Sequence, residues 1–276
     1  MSATGVGDRF SLAALGTLSS NRLGTSRRAA EGDLNVTLAH TFATAYATIR
    51  SDLTDPELAP VALAKACVAV LPIAGAGISI FSGTNIRLPV GASDDDAAQA
   101  ERLQFTAGEG PCLDAHRTAR SVVATAPVMA RRWPDFHHRL VASTPFRSIL
   151  AFPLRGALSG LASVDLFCNG TVDVDSLSMQ DVDAIARLIT DRLLADDLFG
   201  EDPADPGWLD GPSATGRKEV LIAMGMLSVA KNLPAEQALA ELRMYATQTD
   251  QTVDRVAGAV VSRRLAVMDL QFDRAM

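Results

Sequence analysis

The spacing of apolar residues changes abruptly after Pro72, and this change constrains the fold more than any other feature. Before it, residues 33–51 and 57–71 have the pattern of two helices, the second ending before the proline. After it the chain reads AGISIFSGTNIRLPVG, in which two short apolar runs flank a glycine-containing turn at SGTN. That arrangement is typical of a β-hairpin. The sequence therefore predicts two strands that follow two helices.

Three further strands are predicted downstream of the hairpin, in the segments SVVATAP, RSILAFPLRG and GLASVDLFCN. Helices are predicted between and after them, in ASDDDAAQAERL, in WPDFHHRLVAS and over residues 178–199. Helices that flank about five antiparallel strands make an α+β fold. A chain of 276 residues is also long enough for a second, smaller unit.

That second unit is predicted after residues 200–214, whose prolines, glycines and acidic residues are typical of a linker. Residues 215–265 then hold three apolar stripes at helical spacing. Short amphipathic helices are stable only when their apolar faces are covered, so these helices are expected to pack against one another or against another chain. We predict a small all-α three-helix module here, and a mobile arm over residues 1–30, which are rich in Gly, Ser, Thr and Ala.

Composition and charge exclude several classes of protein. A net charge of −7 argues against a protein that coats nucleic acid non-specifically. No apolar run reaches the roughly 20 residues of a membrane-spanning helix, and the first residues lack the pattern of an export signal. Cys67, Cys112 and Cys168 form no CxxC pair, so neither a disulfide framework nor a four-cysteine zinc site is indicated. We expect a cytoplasmic protein without membrane contact.

A metal site is not predicted elsewhere in the chain either. His137 and His138 are adjacent, so on a helix they point about 100° apart and cannot share an ion. The acidic run Asp94, Asp95 and Asp96 lacks the alternating ligands of a calcium loop. Acidic residues are common in the first turn of a helix, and we interpret the run as a helix start.

The segment GEGPCLDA places Cys112 between two glycines and the first turn of a helix. Gly108 and Gly110 are suited to a turn that needs positive φ, and Pro111 to a helix start. At the second helical position the helix dipole would lower the pKa of the thiol, and His116 one turn later could add to this effect. The other interpretation is a small buried thiol beneath the sheet. Redox sensing and a structural role both follow from these residues.

The order of these elements, together with GEGPCLDA, RWPDF, SILAFPLR and ASVDLF, resembles a GAF domain of the kind that actinobacterial regulators carry. The resemblance covers residues 34–198. It implies a cavity for a small-molecule effector of unknown identity, between the sheet and the segment at 108–114. The residues predicted to bind the ligand are Phe81, Phe105, Gly108, Glu109, Cys112, Phe152, Asp165 and Phe167.

Residues 215–262 resemble an ANTAR domain, the RNA-binding module of transcription antitermination regulators. The matching residues are Ala223, Gly225, Met226 and Leu227 in the first helix, Glu236, Ala238, Leu242, Arg243, Tyr245 and Ala246 in the second, and Val253, Val256 and Ala257 in the third. The resemblance implies binding to RNA stem-loops. The predicted RNA-binding residues are Arg217, Lys218, Gly225, Lys231, Arg243, Tyr245 and Arg255, with Tyr245 as the aromatic residue able to stack on a base.

Together the two resemblances imply a signal-responsive transcription antitermination regulator that is not an enzyme. The GAF domain would sense a small molecule or a redox signal. The ANTAR domain would hold stem-loops in nascent mRNA so that a terminator hairpin cannot form. We expect a homodimer, because helices beside GAF domains often pair and two loops need two modules.

Two alternatives remain. Met224, Asp250, Gln251 and Thr252 occupy positions where ANTAR domains usually carry basic residues or an asparagine, and this loss of charge favours a ligand-gated dimeric adaptor that binds a protein partner and has lost RNA binding. The other alternative is a thiol enzyme related to GAF-fold methionine sulfoxide reductases. It is disfavoured because no neighbouring cysteine could resolve an intermediate at Cys112.

Overall fold

The computed structural model describes residues 37–53, 55–82, 86–170, 174–195 and 212–270. The arm predicted over residues 1–30 lies outside these ranges. So does the predicted linker up to residue 211, and the next described helix begins at Pro212.

All five predicted strands are present, and they form one antiparallel sheet. The strands are β1 Gly75–Ser82, β2 Ile86–Ala92, β3 Val122–Ala124, β4 Ser148–Pro153 and β5 Ala162–Cys168. Their order across the sheet is β2-β1-β5-β4-β3, and each neighbouring pair is antiparallel. The pairing of β1 with β5 places Gly77 opposite Asp165, so a glycine and a carboxylate are neighbours at the centre of the sheet.

One face of the sheet is covered by three helices, namely α1 at 37–52, α2 Ala59–Val70 and α7 Met179–Ala195. Strand alternation sends Ile78, Leu150 and Phe152 into this purely apolar layer, where Leu63 and Ile189 also lie. The hydrophobic pattern of the sequence is sufficient to explain this half of the fold.

The opposite face carries α3 Asp95–Ala107, α4 Pro111–Thr118, α5 Ala126–Arg132 and α6 Pro134–Ser143. The acidic run does begin α3, because Asp94 caps the helix by accepting a hydrogen bond from the Ala97 amide at 2.8 Å. The helix ends at Gly108, whose φ of 69° is left-handed. Helix α5 was not predicted. It limits the strand expected at SVVATAP to three residues.

Three helices follow, as predicted: α8 Pro212–Lys231, α9 Ala235–Gln248 and α10 Val253–Val261. The apolar faces of these three helices meet in a core that includes Leu227, Leu242 and Val256. This core also contains Phe105 of α3, so the C-terminal helices cover their apolar faces partly against the sheet unit of the same chain. The predicted fold class, an α+β sheet unit followed by a small all-α unit, is confirmed.

In the part of the chain that the structure describes, each helix is either too short or too polar to span a bilayer.

The packing of α2 on β2 generates a stability prediction at Gly91. A methyl group added there would overlap the carbonyl group of Pro60 in α2. We expect Gly91→Ala to lower the free energy of unfolding by about 1–3 kcal/mol, because overpacking forces the backbone of α2 away from the strand. Urea denaturation followed by circular dichroism measures this change.

Gly225→Ala is the matched control. No heavy atom lies within 4 Å of an added methyl group at this exposed helical position. Alanine should therefore stabilise α8 by about 0.5–1 kcal/mol. A Gly91→Ala midpoint equal to that of the unmodified chain would contradict the close packing of α2 on β2.

Candidate functional site at the junction of sheet and C-terminal helices

The guanidinium of Arg87 in β2 is buried between two carboxylates. Its Nη2 pairs with the side chain of Glu101 in α3 and lies 3.1 Å from Oδ2 of Asp165 in β5. Its Nη1 donates to the Glu101 carbonyl at 3.1 Å. All three side chains are at most 1% exposed. Because buried charges require partners, this pairing fixes the positions of β2, α3 and β5 relative to one another.

Gln104 extends the network from Asp165 to the segment that contains Cys112. Its Nε2 donates to Oδ2 of Asp165, and its Oε1 accepts from the Cys112 amide, both at 2.8 Å. Gly110 is required beside it for two reasons: its φ is 141°, and a methyl group there would overlap the Gln104 amide. The glycine at this point of GEGPCLDA therefore allows the backbone to lie close to the buried side-chain amide of Gln104.

Burial raises the pKa of Asp165 to about 8, and the neighbouring carboxylate of Glu101 acts in the same direction. The positive charge of Arg87 opposes this shift without cancelling it. For Arg87 itself, burial alone would lower the pKa, but the surrounding Cys112, Glu101 and Asp165 outweigh burial and raise it. Burial and the Glu101 carboxylate therefore favour the protonated form of Asp165, while its acidic neighbours favour the charged form of Arg87.

Cys112 is fully buried, with its sulfur 3.3 Å from Nε of Arg87. Burial raises the pKa of the thiol well above its usual value, although the guanidinium of Arg87 acts in the opposite direction. Burial therefore opposes the thiolate that the helix N-terminus was expected to favour. His116 stacks its ring on Phe81 with centroids 3.6 Å apart. The structural interpretation of Cys112 is the one that the geometry favours.

The eight predicted ligand residues do not surround one cavity. Phe152 lies in the layer beneath α2, while Phe167 lies on the opposite face of the sheet, stacked on Phe146 at 4.7 Å. Cys112 and Asp165 do come together, through Arg87 and Gln104. These side chains are buried between the sheet and the segment at 108–114, where the pocket is predicted.

Of the four remaining predicted ligand residues, Phe81 lies in β1 and stacks on His116, and the other three lie near the end of α3. Phe105 and Gly108 face the C-terminal helices, and Glu109 follows them at a partly buried position, where burial raises the pKa of its carboxyl. The ring of Phe105 is fully buried against two guanidiniums: the Cζ atoms of Arg217 and Arg243 lie 3.6 Å and 5.0 Å from its centroid. Such cation–π contacts contribute most where water is excluded.

Arg217 in α8 is fully buried and pairs with Asp254 in α10, with Nη1 2.6 Å from Oδ1. Gly216 permits this approach, since a methyl group there would lie 2.9 Å from the same oxygen. Burial lowers the pKa of Arg217 in spite of Asp254. Its Nε and Nη2, and Oδ2 of Asp254, have no hydrogen-bond partner in the described structure. The site thus keeps unused donors and an unused acceptor.

Three further hydrogen bonds and ion pairs attach the C-terminal helices to α3 and α6. Arg243 donates from Nε to the Phe105 carbonyl at 3.0 Å, and the Val253 amide donates to the hydroxyl of Thr106 at 3.0 Å. Arg139 in α6 pairs with Asp250 at 2.9 Å. These contacts come from two helices of the sheet unit and reach both α9 and the start of α10.

The seven predicted RNA-binding residues are distributed over different environments. Arg217 and Arg243 lie in the junction. Lys231 donates to Glu241 at 2.6 Å and to the Leu270 carbonyl at 2.7 Å. Tyr245 packs partly buried against the core of the C-terminal helices. The exposed members of the set are Lys218, Gly225 and Arg255.

The residues that depart from the ANTAR pattern have structural roles in this arrangement. Met224 is buried in the core of the C-terminal helices. Asp250 is the partner of Arg139, and Thr252 caps α10 by accepting a hydrogen bond from the Arg255 amide at 3.4 Å. Each position supports the three-helix unit or its attachment to the sheet unit.

Several residues of this site were missed from the sequence, namely Arg87, Glu101, Gln104, Arg139 and Asp254. Two signals were available. A charge at Arg87 interrupts an apolar strand, although alternation with Ile86 and Leu88 gives no sign that it is buried, and Glu101 and Gln104 are three apart on a helix, hence on one face. The contact partners of Arg139 and Asp254 carry no local sequence signal, because they depend on how two distant segments meet.

Comparison with known proteins gives a match among solved structures but none among families or curated proteins. No family model and no curated protein matches this chain. Among solved structures, the chain is similar to the GAF domain from a phosphoenolpyruvate-protein phosphotransferase (ptsP) from Coxiella burnetii. The identity is 11% and the TM-score 0.41, and the match covers 60% of this chain and 97% of that chain.

The burial of the cysteines predicts slow thiol chemistry. Cys67, Cys112 and Cys168 are all buried, and burial raises the pKa of Cys67 to about 12 and that of Cys112 above its usual value. We expect a disulfide reagent such as DTNB to titrate fewer than one thiol per native chain within minutes, and all three in denaturant. Rapid reaction of one native thiol, lost in Cys112→Ser, would instead support redox sensing.

The raised pKa of Asp165 predicts a pH dependence of stability. The unfolded carboxyl ionises near pH 4, whereas the folded one holds its proton to about pH 8. In that window the folded state binds more protons, so this residue makes stability fall as pH rises, with no further change above pH 8. Asp165→Asn cannot ionise, and we expect its urea midpoint to decline less between pH 5 and 8.

Asp183→Asn, which removes a half-exposed carboxyl on α7, is the control for this experiment and should keep the slope of the unmodified chain. An unchanged slope in Asp165→Asn would mean that Arg87 keeps the carboxyl ionised throughout.

Proposed function

We propose that this chain is a signal-responsive regulator of transcription, in which a GAF-like sensor at 34–198 controls an ANTAR-like RNA-binding module at 215–265. The sequence motifs of both families support this proposal, together with the antiparallel sheet flanked by helices and the three helices that follow it. The output would be antitermination through stem-loop RNA.

One observation carries the proposal: two predicted RNA contacts, Arg217 and Arg243, are engaged by Phe105 of the sensor. Arg217 is fully buried in the junction and Arg243 is partly buried there, so an RNA helix has no access to Arg217, and reduced access to Arg243, while the C-terminal helices are docked. RNA binding and docking on α3 therefore compete for the same two side chains. A regulator needs this kind of exclusion between a resting and an active state.

Helix α3 provides the route by which a signal would reach the module. Glu101 and Gln104 on this helix belong to the buried network beneath the sheet face, and Phe105 and Thr106 contact the C-terminal helices. A change in the network that shifts α3 would alter both sets of contacts. We propose that the sensed signal acts by this displacement.

The second candidate function is a ligand-gated adaptor that binds a protein partner. It is favoured by the exposed apolar side chains on the outer face of α8, where Ile222 and Val229 are 47% and 86% exposed. Apolar surface of this kind often marks a protein interface. The replacement of basic residues by Met224 and Asp250 points the same way, since both changes reduce the attraction for phosphates.

The oligomeric state and the absence of catalysis also belong to the proposal. We propose a cytoplasmic homodimer with a small-molecule effector. A buried thiol with a raised pKa is a poor nucleophile, which argues against the sulfoxide reductase alternative.

A charge reversal at the junction tests the exclusion between docking and RNA binding. Arg139→Glu replaces the Arg139–Asp250 ion pair with two carboxylates. We expect it to increase the undocked population and to tighten apparent binding of a double stem-loop RNA pool at least fivefold, because apparent affinity follows the competent fraction. Filter binding at constant salt measures the change.

Arg155→Glu is the matched control, since Arg155 is an exposed arginine whose nearest described carboxylate, that of Asp183, is 4.0 Å away. Both variants lower the net charge equally, so charge alone would weaken RNA binding in both. Equal affinity in the two variants would contradict masking by the sensor. No RNA binding by any of the three proteins would favour the adaptor.

A further inference from the structure

A cleft of about 380 Å³ lies between the sheet unit and the C-terminal helices. Lys65 of α2 and Asp95 of α3 line one side, and Arg217 of α8 and Asp254 of α10 line the other. No residue of the segment at 108–114 lines this cleft. Its volume is within the range of sites for small metabolites.

Arg217 is one of the residues that line this cleft, and the Nε–Nη2 edge of its guanidinium is buried without a hydrogen-bond partner among the described residues. Nη1 is used by Asp254, whereas Nε and Nη2 have no partner in the described structure. These two nitrogens form parallel donors that match the two oxygens of a carboxylate. A buried donor without a partner destabilises the structure, and more so when it is charged. The site therefore favours a ligand that supplies two acceptors.

The same cleft also favours a positive group on the ligand. Oδ2 of Asp254 is buried without a partner, and Asp95 adds a second carboxylate at the opposite wall. An acceptor without a donor carries the same kind of cost as an unpaired donor. Acidic and basic residues both line the cleft, so a purely anionic or purely cationic ligand would meet repulsion.

We propose that this cleft binds a small zwitterion with the chemistry of a free α-amino acid. Its carboxylate pairs with the Nε–Nη2 edge of Arg217, and its ammonium group pairs with Asp254. The unpartnered atoms are closed to solvent, so binding requires these two side chains to part. That movement replaces the Arg217–Asp254 ion pair with one ion pair from each side chain to the ligand. It also gives partners to Nε and Nη2 of Arg217 and to Oδ2 of Asp254.

Binding at this place would hold the C-terminal helices on the sheet unit. The ligand would contact α8 and α10 on one side and α2 and α3 on the other, so it stabilises the docked arrangement by its differential affinity. Only this consequence rests on the proposed function, because masking of Arg217 and Arg243 matters only if the module binds RNA. The binding site itself does not depend on RNA.

The test uses the full chain and a panel of the twenty L-amino acids at low millimolar concentration, read by thermal shift and then by titration calorimetry. We expect at least one amino acid to raise the melting temperature saturably. For that amino acid, the matching acid without the amino group and the matching amine without the carboxylate should each bind at least tenfold more weakly. Absence of any saturable shift across the panel would overturn the proposal.

Ala98→Met locates the site. Ala98 lines the cleft from α3, and a longer side chain there fills the space without removing Arg217 or Asp254. We expect an apparent affinity at least tenfold weaker, while the control Ala195→Met, at an exposed position near the end of α7, leaves it unchanged. Undiminished binding in Ala98→Met, or equal binding of the acid without an amino group, would overturn the assignment.

RNA binding is measured on the same proteins. Ligand binding that leaves RNA affinity unchanged would support the site and contradict its role in docking. A chain that binds the amino acid and no RNA would keep the site and refute the proposed function.

Discussion

The architecture depends on the buried charge of Arg87. A guanidinium inside a sheet face must be paired, and its partners come from a neighbouring helix and from a strand two positions away in the sheet. This requirement explains Gly77, where a methyl group would overlap the Glu101 carboxylate, and it explains a polar residue at Gln104. Two carboxylates around one guanidinium leave a surplus of negative charge, and a proton on Asp165 relieves it.

Because Glu101 belongs to α3, the same pairing sets the position of the helix on which the C-terminal helices dock. The helix presents its buried polar residues to the sheet and Phe105 to Arg217 and Arg243. The docking surface is thus held to the sheet by buried ion pairs on one side and to the C-terminal helices by cation–π, hydrogen-bond and ion-pair contacts on the other. Polar contacts of this type exchange with water or with another ligand more readily than a continuous apolar interface does.

Local patterns in the sequence were enough to predict the five strands and the three C-terminal helices, because alternation and helical spacing report which side of an element is apolar. They did not predict that the candidate ligand residues would be divided between the two faces of the sheet. The pattern places Phe152 and Phe167 in strands, but it does not reveal that they lie on opposite faces of one sheet. It also gives no partner for Arg87. Docking of Phe105 on two arginines arises from the meeting of segments more than 100 residues apart, which no local period encodes.

The residues that differ from the RNA-binding pattern acquire a common explanation from the junction. The Asp250 side chain is 92% exposed, so water screens its ion pair with Arg139, and the pair contributes little to stability by itself. In the proposed function, the same carboxylate would repel phosphate when the module is free and attract Arg139 when it is docked. Both effects would favour the docked form. The asparagine usual at this position would supply neither effect, so the proposed function explains Asp250 as a bias toward docking.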